Sequence, residues 1–226
     1  MSVLAVAVSL LLCLAKVLAQ CSVDVSYDLA STSPTTGVGY MEESPVGSVT
    51  FSGSGATFTG TGMLKMYKFS AIDWRGIHSL LFNFQPTDPT LVAEVSLMTN
   101  DVNDNAGSFM ITWSANQVKL KVSLRLWNTT TLQFDTRTDV QTITGLDLTV
   151  MTNVLVTIES SVITFQAGPL TVGGYPTPVT IALKHDEHIE IVGWDPLIFG
   201  KGTATPFSGV LQSFTHYNCI PIGFFF

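Results

Sequence analysis

The chain has 226 residues and a formal net charge of −7, and only 12% of its residues are charged, about half the share in an average soluble domain. An acidic, lightly charged surface with ten scattered basic residues disfavours nucleic acid, anionic membrane and strong heparin binding, because each needs clustered Lys and Arg to displace counterions. The length allows one large domain with a full core.

The first twenty residues, MSVLAVAVSLLLCLAKVLAQ, form an apolar run that ends in a small-residue pattern, Val17-Leu18-Ala19. They read as a secretory signal peptide, residues 1–19, cleaved after Ala19. The alternative is a retained anchor, but Lys16 interrupts the run and leaves it short of the ~20 apolar residues that span a bilayer. Cleavage removes Cys13 and leaves Cys21 and Cys219, an even pair that in a secreted chain invites a disulfide. The other reading is two free buried thiols.

Residues 20–47, rich in Ser, Thr, Pro and Gly, read as an irregular segment. From Ser48 to Cys219 short runs rich in Val, Ile, Thr and Phe follow one another between turn clusters: SVTFSG, ATFTG, HSLLFNF, LVAEVSLMT, SFMITWS, QVKLKVSLRLW, TLQFDT, NVLVTIES, VITFQ, VTIALK, HIEIVGW and GVLQSFTHY. Their period-two alternation predicts an all-β, antiparallel two-sheet β-sandwich over residues 48–219. In QVKLKVSLRLW, Val118, Leu120, Val122, Leu124 and Leu126 fall on one face, and Lys119, Lys121, Ser123 and Arg125 on the other. Almost no helix is expected. Residues 220–226 are a short hydrophobic tail, too short for a lipid-anchor signal.

SVTFSGSGATFTG, HSLLFNFQPTDPTLVAEV, MTNVLVTIESSVITFQAG, and IEIVGWDPLIF followed by FSGVLQSFTHYNC occur in an order that resembles laminin G-like domains, the concanavalin A-like jelly rolls of extracellular proteins. The resemblance covers about three quarters of the chain and implies a secreted single-domain sandwich. It also implies rim loops that recognise an extracellular glycan or protein, with no covalent chemistry.

Candidate sites follow from the loops. Asp101-Val-Asn-Asp-Asn packs carboxylates and carboxamides of the kind calcium prefers, and Gly107 allows a sharp turn. An EF-hand is excluded, because Thr112 stands where its bidentate Glu would be. The laminin G-like resemblance implies calcium ligands at two loops of one rim, here Asp101, Asp104 and Asn105 with Asp186 or Glu187. The competing reading is a plain polar turn, in which Asn and Asp side chains mimic backbone hydrogen bonds. Zinc at His185 and His188 lacks a third ligand. The glucanase pattern of strand-borne carboxylates is approached only by Glu190 and Asp195, without the middle acid, so an enzyme is not expected. Asn128-Thr-Thr is an N-glycosylation sequon. Of the four tryptophans, Trp74 and Trp194, beside turn residues, are the candidate rim aromatics for ligand binding, while Trp113 and Trp127 are expected inside. The runner-up function is a structural component of a secreted matrix such as a shell, cuticle or coat, and a carbohydrate-active enzyme comes third. Oligomeric state is not legible.

Overall fold

A computed structural model describes residues 21–70, 72–100, 108–169, 177–190, 196–200 and 205–221. In chain order its strands are β1 (Val23–Tyr27), β2 (Thr36–Gly37), β3 (Met41–Ser44), β4 (Val49–Ser52), β5 (Gly55–Phe58), β6 (Met63–Met66), β7 (His78–Pro86), β8 (Val95–Thr99) and β9 (Phe109–Ser114), followed by the long pair β10 (Gln117–Asn128) and β11 (Gln133–Thr144). After these come β12 (Thr152–Ile158), β13 (Val162–Pro169), β14 (Val179–Ala182), β15 (His188–Ile189), β16 (Leu197–Phe199) and β17 (Gly209–Tyr217). One 3-10 turn, Tyr67–Phe69, follows β6, and there is no α-helix among the described residues.

The strands form two antiparallel sheets stacked as a sandwich. One runs β14-β13-β12-β7-β17-β1-β2 with β4 and β5 attached along β17; the other runs β11-β10-β9-β8-β16-β6-β3 with β15 paired to β10. The alternation read in β10 holds: Val118, Leu120, Val122 and Leu124 are fully buried and the residues between them are half-buried. Strand β12, held between β13 and β7, is buried along its whole length. Aromatic rings join the two layers. Phe82 of β7 and Phe214 of β17 meet Phe199 of β16, with ring centroids 5.4 and 5.5 Å apart. Full burial of each such ring is worth roughly 1.5–3 kcal/mol.

The expectation that residues 20–47 are irregular is corrected by the fold. Strand β1 pairs with β17, Tyr27 opposite Phe214, and Val25, Tyr27 and Leu29 are fully buried, while β3 pairs with β6. The partner of β1 lies at the far end of the sequence, so no local pattern announces the pairing. Register explains the disulfide as well. Val23 faces Tyr217, which carries Cys21 and Cys219, two residues further out on each strand, to a Cα separation of 5.5 Å, and they are bonded.

Behind this end of the sandwich lies a chain of buried polar groups. Nε2 of His78 donates to the carbonyl of Asp73 (2.9 Å), and Nδ1 of His216 donates to the carboxylate of Asp24 (2.8 Å), which also holds Lys68 (3.0 Å). These roles follow because a carbonyl or carboxylate oxygen only accepts. The facing nitrogens of the two imidazoles are then 3.1 Å apart. Burial pushes His78 below the ordinary imidazole value and His216 down to about 4.

Candidate functional site

Strands β10 and β11 are locked in continuous register from Gln117↔Thr144 to Asn128↔Gln133. That register sets Trp127 directly opposite Phe134, and the alternation of a strand puts Arg125 on the same face as Trp127. The two rings meet edge to face at 5.0 Å and stay about half exposed, at 47% and 46%. The Arg125 guanidinium lies 4.3 Å above the Phe134 ring, within cation–π range. Its Nε donates to Nε2 of His188 (3.3 Å), whose Nδ1 donates to the carbonyl of Asp186 (3.0 Å).

Beside this hairpin is a cavity of about 400 Å³, within the usual range of ligand pockets. Arg125, Trp127 and Phe134 line it from the hairpin, Trp74 and Arg75 from the segment before β7, Glu159 from the β12–β13 turn, and Asp186 from the β14–β15 turn. Ile158, Leu183 and Ile189 supply apolar lining.

Two ion pairs fix the surroundings. Both oxygens of Asp73 accept from Arg75, which holds the Asp73 carboxyl down at about 2. Both oxygens of Glu187, whose side chain is 3% exposed, accept from Arg137 at 2.7 and 2.8 Å. The second oxygen also accepts from the backbone N–H of Lys184 at 2.9 Å. Arg137 holds Glu187 below the ordinary carboxylate range, and its guanidinium also pairs with Asp139 and donates to the carbonyl of Ala182. Asp186 takes the left-handed conformation (φ 63°) at this turn, which a short polar side chain tolerates.

The residues singled out from sequence fare differently. Asp101, Asp104, Asn105 and Trp194 lie outside the described residues. Both oxygens of Glu187 are engaged, by the Arg137 fork and the Lys184 amide, so any ion there would compete with that pair. Asp186 sits exposed at the turn, 2.8 Å from His185. Among the described residues no three His, Cys, Asp or Glu side chains cluster as a metal site would require. Trp74, expected at the rim, is 3% exposed; it stacks on Phe109 at 5.6 Å and still lines the cavity. Trp127, expected inside, is half exposed. Trp113 is buried as expected. Asn128 lies at the hairpin tip, where its Oδ1 accepts from the N–H groups of Thr130 and Thr131 and its Nδ2 donates to Asp135. Sequence reading did not single out Arg125, Trp127 or Phe134 for a site, and weighed His188 only as a zinc ligand. The available signal was an aromatic continuing the wet face of an alternating strand.

No family model matches the chain, and no curated protein matches it. Solved structures do. The receptor binding domain of botulinum neurotoxin mosaic serotype C/D aligns with a TM-score of 0.55 and 11% identity, over 88% of this chain and 48% of that one. The binding domain of botulinum neurotoxin DC, in complex with rat synaptotagmin II, aligns with a TM-score of 0.52 and 11% identity over the same shares. Domain 4 of an extracellular arabinanase from Geobacillus stearothermophilus, in complex with arabinotriose, aligns with a TM-score of 0.48 and 10% identity, over 88% of this chain and 93% of that one. The chain spans about half the length of the toxin domains it matches, and at such identities the likeness is one of fold: an antiparallel two-sheet β-sandwich of jelly-roll type.

Proposed function

We propose that the protein is a secreted, non-catalytic binding module that recognises an extracellular glycan in the cleft beside the β10–β11 hairpin. The observation that carries this reading is the half-exposed Trp127–Phe134 pair, with Arg125 laid over it, at a cavity of about 400 Å³. The molecule also exposes a stacked pair, Tyr40 and Tyr67, but of the two pairs only Trp127 and Phe134 line the cavity, and a ring face next to planar hydrogen-bonding groups suits a sugar. The disulfide between Cys21 and Cys219 supports an oxidising compartment. The strand order that resembles laminin G-like domains supports an extracellular recognition role for the sandwich. Calcium stays in the reading only as the laminin G-like resemblance implies it, with Asp186, exposed at the β14–β15 turn, as the one described candidate ligand not engaged by Arg137.

The test is an array of natural oligosaccharides probed with the mature chain, in calcium and in chelator. A defined subset of glycans is expected to bind, and Trp127→Ala is expected to abolish that binding while circular dichroism stays that of the wild type. Failure to bind any glycan, or equal binding by Trp127→Ala, overturns the reading. Equal binding in chelator removes calcium from it.

A further inference from the structure

We infer that the cleft selects neutral glycans and discriminates against sugars that carry a carboxylate. This rests on the glycan reading above and goes beyond it. Two of the charges around the cavity are already neutralised, Arg75 by Asp73 and Glu187 by Arg137. Three are not. Arg125 spends its Nε on His188 and one π-face contact on Phe134, and among the described residues its two terminal amino groups pair with no carboxylate. Glu159, in the β12–β13 turn, has no side-chain partner among the described residues, and Asp186 has only the exposed His185. The hairpin thus brings an unspent donor to the cavity, and the two turns bring unspent acceptors.

A ligand carboxylate would gain the guanidinium fork but would share a cavity of about 400 Å³ with two carboxylates, on a chain of net charge −7. Like charges a few ångströms apart repel even at an effective dielectric near 20. A sugar hydroxyl carries one donor and two acceptor lone pairs, so it can accept from Arg125 and donate to Glu159 or Asp186 without bringing a charge. Arg125 already covers the Phe134 ring, which leaves Trp127 as the platform for the C–H face of a pyranose.

Titration of the mature chain with neutral, sialylated and uronate-bearing oligosaccharides from the array distinguishes the cases. The tightest ligand is expected to be neutral, with a Kd that changes less than about two-fold between about 50 and about 500 mM NaCl, since no ion pair is there to be screened. Glu159→Gln and Arg125→Gln are each expected to weaken it about ten-fold, the loss of a hydrogen bond to a charged group. For an acidic sugar Glu159→Gln would tighten binding, because it removes a repulsion. Binding confined to acidic glycans, or an unchanged or tightened Kd in Glu159→Gln, overturns the inference while the glycan reading stands; an array with no bound glycan defeats the reading beneath it.

Discussion

Replacing Glu187 tests whether the ion pair beneath the cleft holds the cleft in shape. The Glu187 side chain is 3% exposed and Arg137 36%, so the pair is buried on one partner and half-buried on the other. Removing one partner of a fully buried pair costs about 3–5 kcal/mol, and an exposed pair is worth about 0–1 kcal/mol. Arg137 can rehydrate and keeps Asp139, so Glu187→Gln is expected to cost about 2–3 kcal/mol, between those limits. The assay is urea unfolding at pH 7 with the disulfide intact, where the loss shows as a lower midpoint at an unchanged slope. Hydrogen exchange should quicken over residues 183–189, because the same carboxylate accepts from the Lys184 amide. The double variant Glu187→Leu with Arg137→Met removes both charges together and should recover most of the loss. A Glu187→Gln protein within about 0.5 kcal/mol of the wild type would refute the reasoning, and the turn would then owe its position to packing alone.

Three further outcomes follow from the fold. The buried His216 titrates at about 4 in the native protein against about 6.5 unfolded. As pH falls through that window the unfolded chain takes the proton and the native one does not, so stability falls from pH 6.5 to 4, by about 3 kcal/mol. Pulse-free urea titrations at pH 7, 5.5 and 4.5 measure this, and His216→Asn should flatten the slope; a protein more stable at pH 5 than at pH 7 would mean that a proton bridges the facing nitrogens of His78 and His216. Replacing Cys21 and Cys219 by Ser frees a loop closed across 198 positions and is expected to cost up to about 5 kcal/mol on the chain-entropy estimate, with an unchanged urea midpoint as the contrary result. Secreted protein is expected to carry an N-linked glycan at Asn128, seen as a mass lost on amidase digestion and absent in Asn128→Gln; identical masses before and after digestion would count against it.

Much of the sandwich is legible because alternation is a local signal. In QVKLKVSLRLW each inward residue is two positions from the next, and the structure buries Val118, Leu120, Val122 and Leu124 accordingly. What escapes is pairing between distant segments. VDVSY carries an acid at its second position and sits beside a Ser- and Pro-rich stretch, yet it is held against β17 by backbone bonds, with Tyr27 opposite Phe214. The burial of Trp74 is hidden in the sequence for the same reason. Its neighbours in sequence are polar, while Phe109 and His78, the rings that bury it, arrive from β9 and β7.

The cleft has a cause that strand lengths alone express. β10 and β11 each run for twelve residues, about 40 Å at a strand's rise, but β9 pairs with β10 only from Gln117 to Val122. Beyond that point β15 supplies two partners, Ile189 for Leu124 and His188 for Arg125, and then stops. Among the described residues the end of the hairpin therefore has no third strand, and the residues that alternate there, Arg125, Trp127 and Phe134, line the cavity. The same rows place the ion pair: Arg137 lies opposite Leu124, which lies opposite Ile189, so the guanidinium reaches the turn that begins β15. An acid in the run KHDEH thus finds a base fifty residues earlier, through a register that no window of sequence contains. Shortening the hairpin by one residue pair on each side of its tip would bring Trp127 and Phe134 into the turn and break their facing arrangement, so the site belongs to the overhang and moves with it.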